Sequence, residues 1–179
     1  MKARPFVCFS KGNLSRLPIV SVALAACALL TLLPGTGPVH SAAALPPVKI
    51  GAAGPYSGDL SKIGLDGLNA IKMAVEEANA AGGVRGRKIE IVEADDAGDS
   101  SKAILVAEKL AMDRAVLGVV GPMNSSTAEA ALPTYQRAGL PIISQSATKP
   151  SLTEMGYKVM HRICPRDDAQ GPASAKFVV

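Results

Sequence analysis

Short apolar runs alternate with longer amphipathic stretches from Val48 onward, and this alternation constrains the fold more than any other feature. Short runs bounded by turn residues are typical of buried strands, whereas residues 64–80 repeat apolar side chains at helical spacing. The predicted strands are 48–54, 88–96, 115–121, 141–144 and 157–163, and the predicted helices are 64–80, 100–113 and the segment after Gly121. Strands that alternate with helices require right-handed crossovers, so we predict an α/β fold with a parallel sheet and helices on both faces.

The first 44 residues have the pattern of a signal peptide. Residues 1–18 carry four basic and no acidic side chains, 19–33 are uncharged and apolar, and small residues follow after a Pro-Gly break. This order of basic, apolar and small-residue segments is typical of a secretory leader. We expect cleavage near Ala42 to Ala44 and export to the periplasm. Leu24-Ala25-Ala26-Cys27 also resembles a lipobox, so a form that is lipid-anchored at Cys27 is the alternative.

The net charge and the cysteine content of the mature part, without the leader, differ from those of the whole chain. The whole chain has 19 basic and 15 acidic residues, and four of the basic residues lie in the leader, so the mature part is close to neutral. Its charge therefore gives no support for nucleic-acid binding. Cys164 and His161 are the single cysteine and histidine after residue 44. We expect no intramolecular disulfide and no metal site built on these side chains.

Polar clusters follow four of the predicted strands, at the points where those strands end. They are Pro55-Tyr56-Ser57-Gly58, Asp95-Asp96, Asn124 to Thr127 and Ser144 to Thr148. In parallel α/β sheets, ligands bind in the crevice beyond the carboxyl ends of the strands. The sequence therefore predicts a binding site built from these loops.

Several kinds of enzyme site are disfavoured by the motifs. The glycine-rich stretch 51–64 contains neither G-x-G-x-x-G nor a G-K-[ST] ending, which phosphate-binding loops require. GPYSG has the wrong spacing for the nucleophile elbow G-x-S-x-G, and Ser57 has no evident histidine partner. Asp95-Asp96 can be read as a magnesium or phosphoacceptor pair, although acidic residues at the end of a strand more often cap the next helix. We therefore expect no enzyme activity and no cofactor.

Four consecutive polar side chains, Asn124 to Thr127, lie where a buried strand gives way to a helix. Ser126 with Glu129 fits the capping box S-x-x-E, and Ser151 with Glu154 repeats that pattern. Capping leaves Asn124, Ser125, Ser146 and Thr148 without a local role. Spare hydroxyls at two adjacent strand ends, one beside the free N–H groups of a helix N-terminus, form a site suited to a carboxylate. Ordinary loop polarity is the alternative.

Four motifs in order carry a resemblance to a known family. They are P-x-S-G (55–58), N-x-x-G-G-x-x-G-R (79–87), D-D-x-x-D (95–99) and S-x-S-A-T (144–148). In this combination, from Val48 to the last residue, the chain resembles the N-terminal lobe of the periplasmic leucine/isoleucine/valine-binding proteins. These proteins are the substrate-binding subunits of branched-chain amino acid ABC transporters.

That resemblance implies a two-lobed clamshell that closes on an amino acid without chemistry on it. At matching positions, Ser125 gives a hydroxyl to the ligand carboxylate, the carbonyl of Ser146 receives the ligand ammonium, and Thr148 contacts both groups. Asn124 and Ala147, beside these residues, belong to the implied binding set. Ile63 matches a position that usually carries an aromatic wall residue, so the identity of the ligand stays open.

The resemblance also implies a division of the chain. We expect a signal peptide at 1–44, the N-terminal ligand-binding lobe at 45–165, and the start of the crossover into a second lobe at 166–179, with that lobe missing from this chain. The expected partners are an amino acid and membrane permease subunits, for a protein that acts as a monomer. An amide, urea or aromatic-acid binder of the same fold and the sensing domain of a signalling receptor are the alternatives.

Overall fold

The computed structural model describes residues 45–178; the predicted signal peptide and the lipobox at Cys27 lie outside the described residues. The strands are β1 (Val48–Gly54), β2 (Ile89–Asp95), β3 (Val116–Val120), β4 (Ile142–Ser144) and β5 (Met160–Arg162). The helices are α1 (Ser61–Ala80), α2 (Ser100–Met112), α3 (Ser125–Ala138) and α4 (Asp167–Val178), with a 3-10 helix at Pro150–Thr153. None of the helices between residues 45 and 178 has the length and apolar character needed to cross a bilayer.

All five strands are parallel and lie in the order β2-β1-β3-β4-β5. The predicted α/β fold with a parallel sheet is therefore confirmed. The chain moves from β1 outward to β2, and then crosses back to β3 on the other side of β1. The loops after β1 and β3 consequently leave in opposite directions, and the crevice between them is where parallel sheets of this kind bind ligands.

Helices cover both faces of the sheet, as predicted. A Cβ added to Gly51 in β1 would lie 3.0 Å from Leu110 of α2, whereas the neighbouring Ile50 borders a cavity lined by Ile71 and Val75 of α1. Successive residues of a strand point to opposite faces, so α1 and α2 lie on opposite sides. Val120 and Ile50 share the α1 side and leave an apolar surface there, next to α1.

The main core lies on the α2 side of the sheet, between the sheet and helices α2 and α3. Its largest fully buried apolar side chains are Leu110, Leu132, Tyr135, Ile142 and Leu152. A fully buried aliphatic or aromatic side chain contributes about 1.5–3 kcal/mol relative to an exposed one. This core fixes the position of the N-terminal ends of α2 and α3, which lie at the carboxyl edge of the sheet.

Two glycines allow backbone segments to approach closely at that same edge. A Cβ on Gly64, in the first turn of α1, would lie 1.9 Å from the carbonyl oxygen of Pro55. Gly121 follows β3 with φ of 116°, and a Cβ there would lie 2.0 Å from the carbonyl oxygen of Ala53. Glycine is required at both positions, since any Cβ there would overlap a backbone carbonyl, which cannot move aside as a flexible side chain can.

Candidate ligand-binding site

A cavity of about 290 Å³ lies at the carboxyl edge of the sheet, where the loops after β1 and β3 diverge. Its wall is formed by Pro55, Leu60, Ile63, Met123, Asn124, Ser125 and Ser146. The predicted site residues Ile63, Asn124, Ser125 and Ser146 are therefore brought together. Ala147 is fully buried behind this wall, and Thr148 is half-buried just beyond it.

The apolar part of the wall comes from the start of α1 and the loop before it. Pro55, Leu60 and Ile63 line this side, and Ile63 is 61% exposed because the cavity is open toward solvent. Asp95 holds the loop in place through Oδ1, which accepts the N–H groups of Tyr56 at 2.8 Å and Ser57 at 3.2 Å. The loop therefore presents hydrocarbon to the cavity while its polar backbone groups bond to β2.

The ionisation of Asp95 follows from these contacts. Partial burial, which acts to raise the pKa of Asp95, is outweighed by hydrogen bonds from Ser57 and from the backbone N–H groups of Ala97 and Tyr56, so the pKa is lowered. Asp96 differs because it is fully buried: Oδ1 accepts the N–H of Gly98 at 2.9 Å, while Oδ2 has no partner among the described residues. Burial raises the pKa of Asp96.

Neither aspartate caps α2, so that interpretation of the pair was wrong. Asp99 is the N-cap residue, and its side chain accepts the N–H of Lys102 at 2.9 Å. Between residues 45 and 178, no group of three or more His, Cys, Asp or Glu side chains is placed to hold a metal ion.

The polar part of the wall is the N-terminus of α3. Asn124 is the N-cap residue in extended conformation, and its carbonyl oxygen accepts the N–H of Ala128 at 2.9 Å and the hydroxyl of Thr127 at 3.0 Å. The N–H groups of the first turn have no acceptor within the helix, and the helix dipole places partial positive charge there. This end of α3 is therefore suited to an anionic group in the cavity.

The two predicted capping boxes are wrong. Helix α3 begins two residues earlier than the S-x-x-E pattern predicts, so Ser126 lies inside the helix with an exposed side chain. Glu129 instead forms an ion pair with Lys149, with 2.6 Å between Oε2 and Nζ. The hydroxyl of Ser151 is buried without a partner among the described residues, and Glu154 pairs with Arg166.

Hydroxyl groups tie the loop after β4 to the loop after β3. Ser144 donates to the carbonyl of Pro122 at 2.6 Å, and Ser146 donates to the carbonyl of Met123 at 2.7 Å. Ser125 accepts the backbone N–H of Lys149 at 3.2 Å. We call the segment Gln145–Pro150 the site loop. The hydroxyl of Ser146 is used within the protein, so its carbonyl is the group that this residue can offer a ligand.

Sequence reasoning did not single out Asp95 or Ser144 as supports of this site. Ser144 is fully buried and also accepts the N–H of Ala147 at 3.0 Å. Each residue also has partners more than twenty positions away, beside one local bond each: Ser144 to Ala147, and Asp95 to the N–H of Ala97 at 2.8 Å. The sequence signal for both residues is a polar side chain at the end of a buried strand. This signal predicts a position at the edge of the sheet, but it does not predict a hydrogen-bond partner.

Comparison with known proteins identifies the group to which this architecture belongs. Residues 47–179 match the family described as periplasmic binding protein. An amino acid binding protein of Pseudomonas aeruginosa is 39% identical over 136 residues, which are 76% of this chain and 36% of that relative. A leucine-, isoleucine-, valine-, threonine- and alanine-binding protein of the same organism is 40% identical over 131 residues, covering 73% of this chain and 35% of the relative.

A solved structure shows a similarity to the same group of proteins. The branched-chain amino acid transporter substrate-binding protein of Streptococcus pneumoniae, in complex with isoleucine, is 36% identical with a TM-score of 0.65. The likeness covers 68% of this chain and 34% of that one. The chain spans about a third of the length of the relatives that it matches. With a family match over residues 47–179, this chain belongs to the periplasmic binding protein family.

Proposed function

We propose that the intact protein captures a branched-chain or related amino acid outside the cytoplasm and delivers it to an ABC transporter permease. The observation that carries this proposal is the cavity at the N-terminus of α3, which combines apolar side chains with donors for an anion. Its volume of about 290 Å³ lies just below the usual range of roughly 300–1,000 Å³ for ligand sites. The relatives' printed names and the isoleucine complex support an amino acid as the ligand.

Each part of an amino acid has a counterpart in the site. The carboxylate binds to the hydroxyl of Ser125, to free N–H groups of α3 and to Thr148, whose backbone N–H has no acceptor between residues 45 and 178. The ammonium group binds to the carbonyl of Ser146. The ligand side chain packs against Leu60 and Ile63, which supply the apolar wall. No group in this arrangement acts on the ligand chemically.

The rest of the protein follows from the same proposal. Residues 1–44 direct export and are removed, residues 45–165 form the N-terminal ligand-binding lobe, and residues 166–179 lead into a second lobe that closes over the open side of the cavity. The closed form presents the amino acid to the permease, and the protein acts as a monomer. A ligand enclosed by two lobes exchanges water for protein donors and acceptors on all sides, which makes each polar contact stronger than in an open site.

Isothermal titration of the intact protein with L-leucine, L-isoleucine and L-valine tests this function. At least one of them is expected to bind, while D-leucine, the mirror image with the same composition, binds far more weakly because its ammonium group misses the carbonyl of Ser146. Binding of acetamide, urea or 4-hydroxybenzoate in place of amino acids would refute the proposed ligand class. Equal binding of L- and D-leucine would refute the proposed contacts.

A further inference from the structure

Arg162, the last residue of β5, donates hydrogen bonds to the backbone of the site loop. Its Nη1 donates to the carbonyl oxygens of Ala147 at 3.1 Å and Lys149 at 2.9 Å. Its Nη2 donates to the carbonyl of Pro150 at 3.3 Å and to the hydroxyl of Thr153 at 2.7 Å. One guanidinium thus binds three backbone carbonyls within four consecutive residues, a pattern that its planar fork of donors can satisfy.

No carboxylate competes for this guanidinium in the part of the chain that the structure describes. The nearby acidic side chains Glu154 and Asp168 both pair with Arg166, at 2.6 Å each. Arg162 is half-buried, and its charge is balanced by carbonyl dipoles of the site loop. Hydrogen bonds from a charged donor are roughly twice as strong as neutral ones, so Arg162 fixes these carbonyls firmly.

Fixing the carbonyl of Ala147 also fixes the direction of the next N–H. The C=O of Ala147 and the N–H of Thr148 belong to one planar trans peptide unit and point in opposite directions. Because the oxygen is held against Arg162, the N–H of Thr148 is turned away from it. The next peptide unit, between Thr148 and Lys149, is held at both ends as well. The carbonyl of Thr148 accepts the N–H of Asp167 at 3.1 Å, and the N–H of Lys149 donates to the hydroxyl of Ser125.

We propose that Arg162 is a positioning residue of the ligand site, which orients the backbone N–H of Thr148 toward the ligand carboxylate without touching the ligand. This inference rests on the proposed function. It assigns a task to a residue that lies outside the cavity wall and that the polar clusters of the sequence do not include. The same bonds anchor the 3-10 helix through Thr153, so stability and ligand affinity have to be measured separately.

The test uses the intact protein and the variants Arg162→Gln and Arg162→Lys. Titration with L-leucine is carried out well below the melting temperature of each variant, so that unfolding does not contribute to the affinity. Arg162→Gln is expected to bind about tenfold more weakly, as for partial loss of one hydrogen bond to a charged group. Arg162→Lys keeps the charge but lacks the fork, so its affinity is expected to lie between those of Arg162→Gln and the unaltered protein.

Two further measurements make the outcome specific. The ligand-induced shift of the Thr148 amide signal in ¹⁵N NMR spectra is expected to shrink in both variants, a change that a merely structural role would not produce. Arg137→Gln is the matched control, because Arg137 donates to the hydroxyl of Thr134 at 3.0 Å, within α3 and outside the cavity wall. Its affinity and the Thr148 shift are expected to stay unchanged.

The possible results separate the inference from the function on which it rests. If the unaltered protein binds no branched-chain amino acid, the proposed function fails. If it binds L-leucine and the Arg162 variants melt lower but keep affinity and the Thr148 shift, Arg162 only stabilises the fold and the inference is overturned. Should Arg162→Gln fail to fold, Arg162→Lys decides, and unaltered affinity and Thr148 shift in that variant would overturn the inference.

Discussion

Neighbouring serines at the start of α3 are expected to have separate roles, and Ser125→Ala with Ser126→Ala tests this in the intact protein. Ser125 lines the cavity and accepts the N–H of Lys149 at 3.2 Å, whereas the side chain of Ser126 is exposed and forms no hydrogen bond between residues 45 and 178. The two substitutions remove the same atom from adjacent residues of one helix. Each therefore serves as the control for the other.

The expected magnitudes differ for affinity and for stability. A hydrogen bond from Ser125 to a carboxylate is worth about 1.5–3 kcal/mol, and about 1.4 kcal/mol corresponds to a tenfold change in the dissociation constant. Ser125→Ala should therefore weaken amino acid binding roughly tenfold to a hundredfold. Loss of the neutral bond from Lys149 should lower the free energy of unfolding by about 0.5–1.5 kcal/mol. Ser126→Ala should change the free energy of unfolding by less than about 0.5 kcal/mol and leave affinity unchanged.

Titration calorimetry and urea unfolding of the same two variants supply the four numbers needed. Affinity is measured with the tightest of the three branched-chain amino acids, and stability is measured without ligand. If Ser125→Ala destabilises the protein but leaves affinity intact, the carboxylate does not bind at this hydroxyl. If Ser126→Ala lowered the free energy of unfolding by about 1 kcal/mol, Ser126 would act as a helix cap after all, in contradiction to the structure.

Three further predictions concern other parts of the chain. Gly64→Ala should destabilise the protein strongly, because the new Cβ would lie 1.9 Å from a carbonyl oxygen; Gly171→Ala, with nothing within 4 Å, should not, and equal melting temperatures would contradict this. Burial raises the pKa of Asp96 above its unfolded value of 3.8, so its contribution to stability is fully present below pH 3.8 and is lost as pH rises through the higher folded pKa. Asp96→Asn should flatten that part of a stability–pH profile measured by urea unfolding, and an unchanged profile would exclude the assignment. Intact-mass measurement of the exported protein should show a first residue within a few positions of Ala44, and a diacylglyceryl group on Cys27 would replace that expectation with the lipid-anchored form.

The order of strands and helices could be predicted because each element carries its own local pattern. Buried strands require short apolar runs, and the inner face of α1 requires apolar residues at three- and four-residue spacing, so neither depends on distant residues. The start of α1 was harder to predict from the sequence than its apolar face. The helix begins at Ser61, three residues before the predicted start at Gly64, and Leu60 before it makes no side-chain cap. Gly64 marks a close contact with Pro55, although its sequence context is equally typical of a helix start.

The position of the candidate site could be predicted from sequence, but its supporting hydrogen bonds could not. Polar residues after successive parallel strands must meet at one edge, so Asn124, Ser125 and Ser146 were found without knowledge of their partners. The predicted capping box of Ser126 and Glu129 is wrong because α3 begins at Ser125, and Glu129 pairs with Lys149, a residue twenty positions away. A local motif such as S-x-x-E indicates a preference for a helix start, but it carries no information on contacts with distant residues. Arg162 shows the same limit, since three of its four acceptors are backbone carbonyls that no side-chain motif reveals.

The bond from Lys149 to Ser125 occupies one of the two lone pairs of this hydroxyl and so favours donation by the hydroxyl to a ligand. An oxygen that already accepts the N–H of Lys149 must direct its single hydrogen elsewhere, and the cavity is the space beside it. A ligand acceptor at that point can take this hydrogen, whereas an ammonium group could use only the one lone pair that the bond from Lys149 leaves on the oxygen. We therefore expect an arriving amino acid to dock with its carboxylate against α3 and with its ammonium outward. The orientation of the ligand would then be decided at the first encounter, before any closure takes place.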